Sequence, residues 1–375
     1  MAKTVFVGMS GGVDSSVSAL LLKKQGYKVI GVYMKNWSKD LPGMKCPWAE
    51  DLADAKRVAV KLGIDFEVWD FEEAYHKKVV EYMLREFRAG NTPNPDVMCN
   101  QEIKFKLFYE KAMERGADFI ATGHYARIID GELARAIDEN KDQTYFLYRI
   151  SGEALAHTIF PIGEMKKPEV KKLAEENGLH NAYKKESMGV CFVGEVGMKD
   201  FLKEYIDIRP GEIREIESEK VLGYHEGAVF YTIGQRHGLY LNGVAGEVND
   251  GLPYYVVKKG IENNIVYVSK NLNDEHIWAK KLELADVILR TGPVATVSPT
   301  VLGSRLRAAG VPPVASPVRV DVRLRHRAPL IPARITLGEN NTAVLEFENE
   351  VKRPAAGQSA VIYDGEICLG GGIIR

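Results

Sequence analysis

Residues 3–16 read Lys3-Thr4-Val5-Phe6-Val7-Gly8-Met9-Ser10-Gly11-Gly12-Val13-Asp14-Ser15-Ser16, and this stretch decides the fold. The β-branched and aromatic run at 4–7 reads as a buried strand, and residues 14–25, closed by Gly26, read as a helix. Between them stand two adjacent glycines and three hydroxyls. Glycine lets the backbone come close to a ligand, and a helix N-terminus supplies unpaired amides and a partial positive charge. The segment is therefore an anion cradle rather than only a capped helix start after a tight turn. It lacks the Lys of GxxxxGK[ST] and the GxGxxG spacing, so it is neither a P-loop nor a dinucleotide fingerprint.

Outward from this cradle, strand patterns at 28–34, 65–69 and 118–122 alternate with helical ones at 50–62, 72–88 and 101–115. Such alternation predicts a parallel sheet with helices on both faces, whose ligands sit beyond the carboxyl ends of the strands. The site is therefore expected near residues 8–16, Met34 and Gly123. Helical character stops at 208–211. Short strands and Gly-containing turns run from there to 269, and a further β-rich part runs from 282 to 375, interrupted at 290–317 by a loop rich in Pro, Ala, Ser and Gly. Beyond it Val318, Val320, Val322 and Leu324 alternate with Arg319, Asp321, Arg323 and Arg325, the pattern of a half-buried strand with a mostly basic outer face. Residues 301–334 hold seven arginines against one acidic residue, Asp321, a local charge of +6. The domains are expected at 1–208, 209–281 and 282–375.

The chain has 375 residues, 45% hydrophobic and 27% charged, which fits two or three globular domains and excludes disordered and fibrous classes. Its net charge of -1 means that a nucleic acid would have to meet a local basic patch. The N-terminus has no apolar leader and no stretch reaches the 18 or so apolar residues of a membrane helix, so a cytoplasmic location is expected. Four cysteines, Cys46, Cys99, Cys191 and Cys368, form no CxxC pair, which argues against a disulfide scaffold and a structural zinc site. No metal site is expected.

Two of these cysteines lie in suggestive surroundings. Cys99 follows Asn94-Pro95-Asp96-Val97-Met98, read as a Pro-stiffened loop before a helix starting near Gln101, where the dipole would favour a thiolate. Cys191 lies shortly after Lys184 and Lys185. Each could equally be a small buried apolar residue.

SGGVDSS after a first strand resembles the PP-loop of ATP pyrophosphatases, which cleave ATP between the α and β phosphates and adenylate an oxygen of a second substrate. The wider pattern resembles the bacterial tRNA-specific 2-thiouridylase family along nearly the whole chain. The matching blocks are NPDVMCN, TGHYARI, KDQTYFLYRI, FPIGEMKKPEVKKLAEENGL, ESMGVCFVGE, YTIGQRHGL and the terminal GQSAVIYDGEICLGGGII. Met188 before Gly-Val-Cys and a longer, more Pro-rich stretch at 291–317 depart from it. The resemblance implies a Rossmann-like PP-loop domain followed by two small β-rich domains, the last a β-barrel.

It further implies that Gly8, Met9, Ser10, Gly11, Gly12, Val13, Asp14 and Ser15, with Met34 and Gly123, bind ATP as a substrate accompanied by Mg2+, with no permanently bound cofactor. ATP would adenylate the C2 oxygen of the uridine at the first anticodon position. Cys191 would carry a persulfide whose terminal sulfur becomes attached to C2, and Cys99 would be the partner nucleophile that frees the sulfur from Cys191, either as sulfide or during transfer, leaving a Cys99–Cys191 disulfide. Asp96 would be the general acid or base. Asn94, Pro95 and Asp96 would meet a flipped-out target base, and His124, Lys141, Asp142, Gln143, Arg325, His326 and Gln358 would contact the tRNA. The implied partners are tRNAs with Lys, Glu and Gln type anticodon loops and a cysteine desulfurase or sulfur-relay protein, with no membrane. Two rival readings are another PP-loop adenylating ligase or amidase, which would not need Cys99 or Cys191, and a non-catalytic RNA-binding protein, which would not need an intact SGGVDSS.

Overall fold

The computed structural model of the chain describes residues 2–40, 46–185, 197–241, 252–271, 277–290 and 317–375. In the first part, strands β1 (Thr4–Gly8), β2 (Lys28–Lys35), β3 (Asp65–Asp70) and β4 (Phe119–Thr122) are followed by the short hairpin strands β5 (Arg127–Ile129) and β6 (Glu132–Ala134) and by β7 (Thr158–Ile159). A parallel sheet takes the order β3-β2-β1-β4-β7. Alternate residues of β1 serve opposite faces, as a strand's period of two requires. Val5 and Val7 pack with Val17, Leu20 and Val58 of helices α1 (Val13–Lys24) and α2 (Trp48–Leu62), whereas Phe6 packs with Trp69, Val79 and Phe108 on the other side. Burial on both faces is what the parallel pattern demands.

A second sheet of four strands, β8 (Gly211–Glu215), β9 (Val221–His225), β10 (Tyr255–Gly260) and β11 (Ile265–Ser269), takes the order β10-β11-β8-β9 around Ile213, Leu222, Val256, Val266 and Val268. Strands β12 (Trp278–Leu289), β13 (Val318–Arg323), β14 (Ile331–Leu337), β15 (Ala343–Lys352), β16 (Ser359–Asp364) and β17 (Ile367–Ile374) run β12-β15-β14-β13-β16-β17, and β17 pairs back onto β12. These six strands close a barrel, which removes the exposed edges. Its interior holds Leu282, Leu284, Val320, Val322, Ile335, Leu345 and Ile362. Among the described residues no helix is long and apolar enough to cross a membrane.

Three features differ from the sequence expectations. The helix expected from 101 already begins at Pro95: Asn94 caps it, accepting from the Val97 amide, and Pro95 takes the first turn, where its missing N–H costs nothing. Pro95 is a helix starter, and Cys99 lies at the end of the first turn instead of ahead of it. Second, the hairpin β5–β6, turned by Asp130 and Gly131 at positive φ, adds to the barrel sheet through Ala134 and Ile367. Third, Arg323 is not on the outer face of its strand. It is buried, as are Val322 and Leu324 on either side, while Arg319, Arg325, Arg327 and Arg334 remain exposed.

Candidate active site

The cradle at residues 8–16 lies at the carboxyl end of β1, and the neighbouring strand ends come to it. A Cβ on Gly8 would sit 2.9 Å from Met34 Cε at the end of β2, and one on Gly123, after β4, would sit 2.6 Å from the Ser15 nitrogen. Residues 8–16, Met34 and Gly123 thus form one locus. Gly11 takes φ +79, a left-handed value that favours glycine, and a Cβ there would meet the Asp51 carbonyl oxygen at 2.4 Å.

No side chain caps α1 at Gly12, so the start of a twelve-residue helix is left open to an anion. The hydroxyls fold into the loop: Ser15 and Ser16 donate to the Gly12 carbonyl, and Ser15 accepts from the Ser10 amide. Met9 and Val13 are buried and serve as packing. Asp14 is bound from both sides, with Lys167 Nζ at 2.7 and 2.8 Å from its two oxygens and the Tyr125 hydroxyl donating at 3.0 Å. Asn181 donates to the Gly11 carbonyl at 2.8 Å and to Ser16 Oγ at 2.9 Å. Of these partners, Lys167 carried a sequence signal: a lysine in the first turn of a helix opposes the dipole and needs another reason to be there.

The helix start at 94–99 carries Asn94, Asp96 and Cys99, and the same helical run continues to Lys104, which meets His124 next to Gly123. Burial raises the Asp96 carboxyl above its ordinary range, against the opposing pull of Lys104. Cys99 is buried. The helix continues through a π segment, Asn100–Leu107, a geometry common at functional sites. From this segment Lys104 reaches His124 Nε2 at 3.4 Å. An ammonium can only donate, so Nε2 accepts and the Nδ1 proton goes to Thr122 Oγ1 at 2.8 Å. Burial and Lys104 hold the His124 pKa well below its usual value. The His124 ring lies among Phe105 and Phe160, turned inward.

The barrel rests against the same loop. Gln358 Nε2 donates to the Thr92 carbonyl at 2.7 Å, and the Thr92 amide donates to Ala356. Arg325 is exposed. His326 packs its ring 4.6 Å from that of Phe146, and burial lowers its pKa to about 4. Gln143 accepts from the Tyr125 amide. Asp142, expected to face tRNA, has a fully buried carboxylate that accepts from Thr144, the Ala136 amide and Arg323, so its side chain is spent inside the protein. Cys191 and Met188 lie outside the described residues. Lys184 is paired with Asp51 at 2.7 Å and Asp54 at 2.6 Å. Cys46 and Cys368 are buried, and burial raises both thiols. Among the described residues no three His, Cys, Asp or Glu side chains converge as a metal site.

Residues 3–195 match the family described as the tRNA methyl transferase HUP domain, residues 199–270 its PRC-barrel domain, and residues 301–374 the aminomethyltransferase β-barrel domain. The tRNA-specific 2-thiouridylase MnmA of Idiomarina loihiensis is 46% identical, covering 100% of this chain and 96% of that protein. The chain belongs to the tRNA-specific 2-thiouridylase family. A second member, from Pasteurella multocida, is 45% identical over 100% of this chain and 93% of its own length. A solved 4-thiouridine synthetase–RNA complex with bound ATP covers 54% of this chain and 50% of its own at 17% identity and a TM-score of 0.37, too slight a likeness to bear on the site. The HUP match of the family coincides with the parallel sheet and its cradle, and the β-barrel match ends within the closing strand β17.

Proposed function

We propose that this chain is an ATP-dependent tRNA-uridine 2-sulfurtransferase that converts the first anticodon uridine to 2-thiouridine. The observation that carries the proposal is the pairing of full-length family membership with an open helix N-terminus at the cradle and a second helix start that bears Asp96 and Cys99.

ATP is used because the C2 carbonyl of uracil is amide-like and resists sulfur attack. The cradle holds the phosphates, and the C2 oxygen takes the α-phosphoryl group as pyrophosphate leaves. Mg2+ supplies charge balance on the phosphates. Because Asp14 is committed to Lys167 and Tyr125, the ion is expected to arrive with the nucleotide. A persulfide on Cys191 then forms a bond from its terminal sulfur to C2, and AMP departs with the former oxygen. The Cys99 thiolate attacks Cys191 Sγ, breaking the S–S bond. The sulfur stays on C2, reduced at the expense of a new Cys99–Cys191 disulfide. An external thiol must reopen that disulfide in each cycle. Asp96, half-buried with a raised pKa, suits proton transfer at the base.

The persulfide is expected from a cysteine desulfurase or sulfur-relay protein, the substrates from tRNAs of the Lys, Glu and Gln type, and the compartment is the cytoplasm. Three units at 1–208, 209–281 and 282–375 are proposed; a new sheet begins at Gly211, while barrel strand β12 begins at Trp278, four residues ahead of the last boundary. Arg325, His326, Gln358, Lys141 and Gln143 are proposed along the tRNA path, and Asn94 and Pro95 at the target base. The test incubates protein, Mg-ATP, a persulfide source and unmodified tRNA, then digests the RNA and measures 2-thiouridine by mass spectrometry. ATP-dependent product lost in Cys191→Ser supports the proposal. AMP formation with no sulfur in the RNA would redirect it to another activated oxygen.

A further inference from the structure

One buried side chain outside the cradle touches it at its most sensitive point. Asn181 is 2% exposed and comes from the turn following the helix Lys167–Glu176, about 170 residues away in sequence. Its amide nitrogen donates to the Gly11 carbonyl and to Ser16 Oγ, while its own Oδ1 is buried with no hydrogen-bond partner. A buried amide oxygen left unpaired costs free energy, so a residue kept there for packing alone would be better replaced by an apolar one.

The Gly11 carbonyl belongs to the peptide plane that carries the Gly12 N–H. In a trans peptide these two groups point in opposite directions. With the carbonyl drawn into the protein by Asn181, the Gly12 N–H must point the other way, and it does, toward the exposed Ser10 at 3.4 Å from Oγ. Two adjacent glycines leave this plane free to turn over, because neither has a Cβ to hinder it. Backbone sterics therefore do not fix the direction of the amide. Asn181 does.

We infer that Asn181 is a positioning residue for ATP: by holding the Gly11 carbonyl it aims the Gly12 amide into the cradle as a phosphate donor, and it ties the end of the loop down through Ser16. The inference rests on the proposed ATP site and adds to it a residue whose side-chain amide holds the loop. If the plane turned over, a carbonyl oxygen would face the phosphates in place of an N–H, exchanging attraction for repulsion.

The test compares Asn181→Ala with the near-isosteric Asn181→Asp, measuring ATP binding by calorimetry, KM for ATP and for tRNA, and the melting temperature with and without ATP. Both variants are expected to raise KM for ATP at least tenfold with KM for tRNA unchanged. Asn181→Asp is expected to be the worse, because a carboxylate cannot donate to the Gly11 carbonyl and repels phosphate. The ATP-induced rise in melting temperature should shrink in both. ATP affinity within twofold of the unsubstituted protein, in either variant that retains its cooperative melt, overturns the inference. Loss of affinity for ATP and tRNA alike would make Asn181 a general packing residue and also overturn it. Should the unsubstituted protein itself fail to bind ATP, the fault lies with the proposed site and is seen before any variant is compared.

Discussion

Arg323 in the barrel places Nη1 2.5 Å from Oδ2 of Asp142 in the first domain, with side-chain exposures of 5% and 0%. The guanidinium also lies over the Tyr363 ring at 5.2 Å, and the Tyr363 hydroxyl meets Thr144, another Asp142 partner. A buried pair of this kind fixes one part of the chain against another. Asp142 lies one residue before Gln143, whose side chain accepts from the amide of Tyr125, the residue that bonds Asp14 in the cradle. A single bonded path thus links the barrel to the cradle.

Removing one partner of a buried pair strands the other charge, a loss of about 3–5 kcal/mol. Arg323→Ala is therefore expected to lower thermal stability sharply, and Arg323→Met combined with Asp142→Leu to recover most of it. A denaturant series on the two variants measures this. A double variant that loses as much as the sum of the Arg323 and Asp142 substitutions measured singly would mean that the pair is not coupled.

Arg325 and Arg327 are exposed beside this pair and carry no structural duty of that sort. Arg325→Ala is expected to leave the melting temperature unchanged and to reduce the salt slope of tRNA binding by about 1, as one lost phosphate contact does. His326, neutral at pH 7 and packed on Phe146, makes no ionic contact, so His326→Ala should weaken binding without changing the slope. Filter binding across a salt series separates the two.

The strand, cradle and first helix were legible because their signals are local: a β-branched run, two glycines and a glycine stop. Cys99 and Asp96 were legible as residues, yet the helix that presents them was placed six residues late because Pro95 was taken as a loop residue when it is a helix's first. The alternation at 318–325 identified the strand but put Arg323 outside, since its partner is 181 positions away and no local pattern reports that. The same holds for Lys104 on His124 and for Asn181 on Gly11. Their roles come from tertiary contact alone. The hairpin at 127–134 escaped because strands of three residues are too short to show a period.

Asp96 is expected to trade stability for function. Its folded pKa is raised, so its contribution is favourable below the unfolded value of about 3.9 and is lost as pH rises through the folded pKa. Above the folded pKa the ionised carboxylate is therefore a burden on the fold. Asp96→Asn should raise the melting temperature at pH 7, with the gain vanishing near pH 4, while lowering the thiolation rate by about 10²–10⁴ as loss of a general acid or base does. Melting curves at both pH values, together with single-turnover rates, check both halves. A variant with normal rate would remove Asp96 from proton transfer.

Cys99 is 4% exposed, and Cys46 and Cys368 are buried as well, at 7% and 0%. An alkylating agent needs both access and a thiolate, so all three should react far more slowly than an exposed thiol when native protein is treated with iodoacetamide. The proposed chemistry requires Cys99 to reach a second sulfur, which needs its surroundings to open when the substrate is seated. Saturating tRNA with ATP should accordingly change labelling of Cys99 and leave Cys46 and Cys368 as they were, since both are buried and neither has a part in the proposed chemistry. Mass-mapped labelling with and without tRNA gives the three rates in one experiment. Cys99 labelling that stays as slow as Cys368 with tRNA bound, in a preparation that turns over, would mean that Cys99 is a packing residue and that another thiol receives the persulfide's partner bond.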